Sequence, residues 1–258
     1  MTGLNFIINA DDFGMNAIVN QSIYRLLEKK AISSATIMAN GHAVDEATKM
    51  SKDFGWASFG LHLNLTNFET ITEDIKSTQF CDSEGSFNGK FREKSTIKHS
   101  QLILNEWMSQ LALVQDKGIT ISHFDSHHHI HTHPTAFIAL IQLLKRSGIN
   151  KVRNTRNLVS SKERNSSSQK KYAAKRIWSN GMKLLGRANS PRYFCSVNDF
   201  YELLQNEPQL IPENGCIELM CHPGDLGNNE YIFECELLEQ RAILNHSDSY
   251  SLISYNEL

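Results

Sequence analysis

The chain has 258 residues, 40% hydrophobic and 21% charged, and its 26 Lys+Arg against 28 Asp+Glu leave a formal net charge of −2. That balance excludes a basic nucleic-acid protein and an acidic disordered chain. No run reaches the roughly 18 apolar residues of a membrane span, and Met1 to Ile8 lacks the build of a signal peptide, so a cytoplasmic protein with no membrane partner is expected. Five cysteines (Cys81, Cys195, Cys216, Cys221, Cys235) with no C-x-x-C pair predict reduced, mostly core thiols.

Short apolar runs alternate with segments of helical period, the pattern of a largely parallel sheet. Residues 4–10 read as the first strand, and 16–30 as a helix with Ile23, Leu26 and Leu27 on one face. A strand at 34–39 and a helix at 43–52 follow. Residues 57–66 alternate cleanly, with Phe59, Leu61, Leu63 and Leu65 on one face and Gly60, His62, Asn64 and Thr66 on the other. Residues 67–95 carry little periodicity and read as an insertion that lids or lines a site. A helix over 97–117 places Leu104, Trp107, Met108, Leu111 and Val114 at helical spacing. Next come a short strand at 119–124, a helix opening at Pro134 and closing at Gly148, and a strand at 149–154. Residues 151–192 hold 12 Lys/Arg against one acid, Glu163, and the insertion 155–192 reads as a solvated helix face or a subunit contact. Strands at 192–197, 216–221 and 250–254 and a helix near 233–245 complete the chain. With no linker and no internal repeat, the expectation is one α/β domain over 1–258, a TIM-like (β/α) barrel in seven-stranded or distorted form.

Histidine is the informative residue: six of the 11 (His123, His127, His128, His129, His131, His133) fall within residues 123–133. Crowding of this kind is a chemical signal, because a polar loop has no structural motive for it. Four constellations sit at predicted strand ends, where sites are built in parallel sheets. Asp11 and Asp12 are adjacent after the first strand, so one can bind a metal while the other faces substrate as a base; the structural alternative is a helix cap. His62 lies on the polar face of an apolar strand. On an extended backbone Asp125 and His127 point together into a barrel mouth, and a carboxylate commonly orients a metal-binding imidazole. His222, in Cys221-His222-Pro223-Gly224, ends a late strand and can reach the same mouth. Asp and His residues from separate strands make a hydrolytic site for one divalent ion, with zinc, cobalt or manganese suited to the ligand type.

These motifs, in this order, resemble the YdjC-like carbohydrate deacetylase family, of which the chito-oligosaccharide deacetylases are members: Asn-Ala-Asp-Asp-Phe-Gly at 9–14, Gly-Leu-His-Leu at 60–63, the run from His123 to His131, and His-Pro-Gly at 222–224. The resemblance implies a β/α barrel, a homodimer and a magnesium-type ion held by Asp12, His62 and His127. It further implies Asp11 as general base, His222 as general acid, and an N-acetylated oligosaccharide as substrate. Phe13, Phe87 and Phe91 are candidates to stack on sugar rings, and His123, His128, His129 and His131 are open as substrate contacts. Two other classes compete. A metal-dependent phosphoesterase or nuclease would use the basic 155–192 segment, and a metal-storage protein would bind several ions on the histidine run.

Overall fold

The computed structural model describes residues 3–164, 169–224 and 227–258, with the side chains of residues 163–172 outside that description. Its elements in chain order are β1 (Leu4–Phe13), α1 (Ala17–Glu28), β2 (Ser34–Ile37), α2 (Val44–Ser51), β3 (Ser58–Leu63), α3 (Phe91–Lys94) and α4 (Ser100–Asp116). Then follow β4 (Phe124–Ser126), α5 (Pro134–Ser147), α6 (Ser161–Arg164), α7 (Gln169–Gly186), β5 (Tyr193–Ser196), α8 (Val197–Asn206), β6 (Gly215–Cys221), α9 (Asn229–Glu239) and β7 (Tyr250–Leu252). No helix among the described residues is long and apolar enough to cross a membrane.

All pairings in the sheet are parallel, in the order β4-β3-β2-β1-β6-β5, with β7 added beside the start of β1. The sheet curls into a half-barrel with helices packed outside. Central β1 is buried along nearly its whole length, as a strand covered on both faces is, and its polar residues gather toward its C-terminal end. Helix α1 is capped by the Asn16 side chain and buries Ile23, Leu26 and Leu27, the face read from its period. Helix α5 carries Pro134 at its first turn and ends on left-handed Gly148.

The half-barrel agrees with the expected TIM-like architecture in its curled parallel sheet, and no continuous ladder among the described residues joins its two edges. Between the edges β4 and β5 runs the segment predicted as a strand at 149–154, which makes the isolated parallel bridges Phe124↔Val152 and Lys151↔Asn189, with a third, Asn157↔Phe194, just beyond it. The interruption has a local cause. Asn154 turns its side-chain oxygen back onto the N–H groups of Thr155 and Arg156, at 2.7 and 3.1 Å, removing both from any ladder. Two other elements shift in register along the chain. The strand expected at 119–124 becomes regular only at Phe124, and the late helix ends at Glu239 because Arg241 adopts a left-handed conformation with φ 53°.

The 67–95 insertion is fastened onto α4. The buried Glu106 carboxylate accepts from the backbone N–H groups of Ile71 and Thr72 and from the Thr72 hydroxyl, at 2.8–3.1 Å. From the same insertion Arg92 donates to the carbonyl oxygens of His128 and His129, clamping the histidine turn.

Candidate active site

The two adjacent carboxylates are separated by a bulge. Register along β1 and β2 shifts between Ala10 and Phe13, and Asp12 takes φ 68°, a left-handed conformation rare for a residue with a side chain. Asp11 and Asp12 both reach the sheet interior there, and each meets its own partners.

Asp12 Oδ1 lies 3.2 Å from His62 Nε2 and 2.9 Å from His127 Nδ1. The three residues are buried, and one donor atom from each lies within 4.8 Å of the others. His62 is aimed from behind: its Nδ1 donates to Asp125 Oδ1 at 2.8 Å, leaving Nε2 for the cluster, while the Thr36 hydroxyl donates to Asp125 Oδ2 at 3.0 Å. Asp125 thus orients His62, whereas the sequence reading paired it with His127. His127 Nε2 and Asp12 Oδ1 lack hydrogen-bond partners, which fits a site that an ion would complete. Burial opposes ionisation of Asp12, but the His127 and His62 imidazoles close beside it hold its carboxyl well below the usual range. Burial likewise opposes charge on His62, and the Asp125 carboxylate with Asp12 outweighs it, raising His62 well above an ordinary imidazole.

Asp11 is gripped by Arg153. Its two oxygens accept from the guanidinium at 2.7 and 2.6 Å in a bidentate pair, and Asn9 adds a third hydrogen bond at 2.9 Å. Burial alone would raise the Asp11 carboxyl, yet the Arg153 charge and its hydrogen bonds depress it below the carboxylate range. Arg153 is itself wholly buried and reaches two further acids, Asp125 at 3.0 Å and Glu218 at 2.8 Å. Tyr255, near the C-terminus, donates its hydroxyl to the other Glu218 oxygen at 2.6 Å and stacks its ring on His123 at 3.6 Å. One guanidinium thus serves three carboxylates, and the shortfall is met at Glu218, which burial pushes up to about 7.

His222 follows β6, stacks on Tyr231 at 5.0 Å, and brings Nε2 to 4.0 Å from Asp11 Oδ2. Its backbone N–H donates to Glu234 at 2.7 Å. The structure therefore draws Asp11, Asp12, His62, His127 and His222 into one cluster from β1, β3, the turn after β4 and the end of β6. Two cavities of about 590 Å³ flank it. One is lined by His129, Arg153, Trp178 and Phe194, the other by His222, Tyr231, Glu230 and Glu234.

Other expectations fail for identifiable reasons. The extended row from His123 to His131 breaks after His127, because His128 and His129 both adopt left-handed conformations inside the short helical turn His127–Thr132. His123 and His131 end up wholly buried. Phe13, Phe87 and Phe91 are core residues and cannot stack on a ligand. Arg153, Glu218 and Tyr255 were not foreseen as site residues. The available signal was a charged residue inside each of two apolar strand patterns, Val152-Arg153 and Ile217-Glu218-Leu219.

A "Carbohydrate deacetylase" of Clostridium beijerinckii is 26% identical over 275 aligned residues, covering 99% of this chain and 100% of that one. Another, of Halalkalibacterium halodurans, is 27% identical with 85% of each chain covered. Among solved structures, a protein proposed as a cellobiose-phosphate cleavage protein of Enterococcus faecalis shares the fold with a TM-score of 0.76, at 22% identity and 99% coverage of both chains. The family model described as YdjC-like protein matches residues 5–249, and the chain belongs to that family.

Proposed function

We propose that the protein is a metal-dependent hydrolase that removes N-acetyl groups from N-acetylglucosamine-containing oligosaccharides and releases acetate. The observation that carries this reading is the division of labour at residues 11 and 12. Asp12 joins His62 and His127 in a set able to hold one ion, while Asp11 is kept out of that set by Arg153 and stands 4.0 Å from His222. The relatives named carbohydrate deacetylases support a carbohydrate as the substrate.

Asp12, His62 and His127 would hold a divalent ion, and an imidazole-rich set suits zinc, cobalt or manganese better than magnesium, which prefers oxygen ligands. Such an ion supplies Lewis acidity, polarising the acetyl carbonyl and acidifying the attacking water, which a carboxylate of such low basicity requires. Asp11, ionised throughout the neutral range, orients that water and takes its proton as the oxygen adds to the acetyl carbon. His222, on the open side of the cleft, delivers a proton to the sugar nitrogen as the C–N bond breaks, giving acetate and a free amine. Arg153 holds Asp11 in one orientation, so no reorganisation is needed at the moment of reaction.

A second reading, hydrolysis of a phosphoester, draws support from Arg156, Arg176, Lys183 and Arg192 around a cavity of about 390 Å³. One assay separates the two. The metal-stripped protein, resupplied in turn with zinc, cobalt, manganese and magnesium, is given N,N′-diacetylchitobiose and, separately, a generic phosphodiester. Metal-dependent acetate release that falls about 10²- to 10⁴-fold in Asp11→Asn is the expected result. Phosphodiester cleavage with no acetate from any metal form would overturn the deacetylase reading.

A further inference from the structure

The cavity between the histidine turn and α7 has the features of a ligand site. At about 590 Å³ it falls within the range of small-molecule pockets, about 300–1,000 Å³. Its floor includes Arg153, which touches Asp11 from behind, so a group seated there lies beside the reacting acetyl group rather than on it. One wall is the half-buried indole of Trp178. The indole is pinned in place: its N–H donates to the His131 carbonyl oxygen at 3.2 Å, and its ring meets His131 and Phe137 edge-on at 5.3 and 5.9 Å. With the polar end of the indole satisfied, the ring is left to make apolar contact, and its electron-rich face suits the weakly positive C–H hydrogens of a pyranose.

The polar complement comes from His129. Of the four histidines open as substrate contacts, His123 and His131 are wholly buried and His128 bonds the Thr66 hydroxyl at 3.0 Å. His129 is half-buried at the cavity, its ring packed edge-on against Phe194 at 5.6 Å, and its ring nitrogens bond to no other described residue. The left-handed conformations of His128 and His129, held by Arg92, turn that ring away from the Asp12 cluster and toward the cavity. Across the rim Lys175 donates to Asn157 at 2.6 Å, which adds further hydrogen-bonding groups. An aromatic platform facing convergent polar side chains is a recognition surface for a neutral polyhydroxyl ring.

We propose that this cavity is a sugar subsite adjoining the reaction centre, in which Trp178 stacks on the neighbouring ring of an oligosaccharide and His129 bonds one of its hydroxyls. The proposal rests on the deacetylase reading and deepens it by assigning the side chains that hold the ring next to the reacting one. The readout is the ratio of kcat/KM for N,N′-diacetylchitobiose to that for N-acetylglucosamine, from acetate release. The wild-type ratio should be about tenfold or more, Trp178→Ala should lower it about tenfold, and Trp178→Phe, which keeps an aromatic face, should hold it within about threefold, as base–aromatic stacking energies suggest. His129→Ala should lower it as well. A wild-type ratio near one, or a ratio unchanged in Trp178→Ala, overturns the subsite and leaves acetate release standing. No acetate from either sugar in the wild type overturns the deacetylase reading, and the subsite falls with it.

Discussion

Glu218→Gln should make the protein more stable at alkaline pH than the wild type relative to the same comparison in acid. Glu218 is wholly buried, with Arg153 Nε–H on one oxygen and the Tyr255 hydroxyl on the other. Burial outweighs the pull of Arg153 and Tyr255, and the nearby Asp125 charge adds to it, so the carboxyl titrates at about 7. In the unfolded chain a glutamate titrates near 4.3. Between those values the folded protein keeps a proton that the unfolded chain has released, so this stabilisation is complete below the lower value and is lost as pH rises through the upper. At about 1.4 kcal/mol per unit, going from pH 5 to pH 8 costs the wild type about 2–3 kcal/mol from this one group. The amide of Gln does not titrate. Its oxygen can still accept from Arg153 while its NH₂ donates to the Tyr255 oxygen, so the hydrogen-bond count is kept. Urea unfolding of the metal-free protein at pH 5 and pH 8, with both variants at each pH, gives the difference. Glu234, which burial also raises to about 7, and the buried histidines contribute equally to both proteins and cancel. Parallel stability curves, with a gap constant to about 0.5 kcal/mol, would refute the assignment of the surplus proton to Glu218.

Equilibrium dialysis with zinc should find about one tightly held ion per chain, weakened at least about tenfold by His127→Ala, as loss of a ligating group implies. Several ions per chain, indifferent to His127→Ala, would favour the storage reading of the histidine run. Gly60→Ala should destabilise the fold by about 1–3 kcal/mol, because the added Cβ would stand 2.5–2.7 Å from the buried His123 ring, itself pinned against Tyr255. An unchanged urea midpoint for Gly60→Ala would show that His123 can move aside.

The candidate site was legible where its chemistry is carried by adjacent residues and lost where it is carried by distance. Strand ends rich in Asp and His mark β1, β3 and the turn after β4, since each motif is a short run whose polar residues have no place in an apolar strand unless they are used. The curled parallel sheet was legible for a similar reason, because the alternation of apolar runs with helical segments is local. The edge between β4 and β5 was not, since the Asn154 side chain outcompetes the ladder there and propensity gives no warning. Arg153 was read as one member of a basic stretch. Its role follows from contacts with Asp11, 142 residues away, and Glu218, 65 residues away, and no spacing rule reaches across such gaps.

The same reasoning explains why two neighbouring carboxylates can differ so much in behaviour. A regular strand would also point Asp11 and Asp12 to opposite faces, but it would leave Asp12 facing away from the sheet interior that holds His62. The bulge, with Asp12 at φ 68°, swings the second carboxylate back so that both reach the interior from one strand end. A non-glycine residue in that conformation costs of order 1–3 kcal/mol, and the surroundings must hold it there. They do so by the ion pairs of Asp12 with His62 and His127, and by the Asn20 side chain, which accepts the Gly14 N–H at 2.7 Å just beyond the bulge. With Arg153 on Asp11 and two imidazoles on Asp12, the pair avoids the shared-proton arrangement that close carboxylates otherwise adopt, and both stay ionised at neutral pH. That is the condition the proposed base beside the proposed metal ligand has to meet, and here backbone strain and three long-range contacts supply it together.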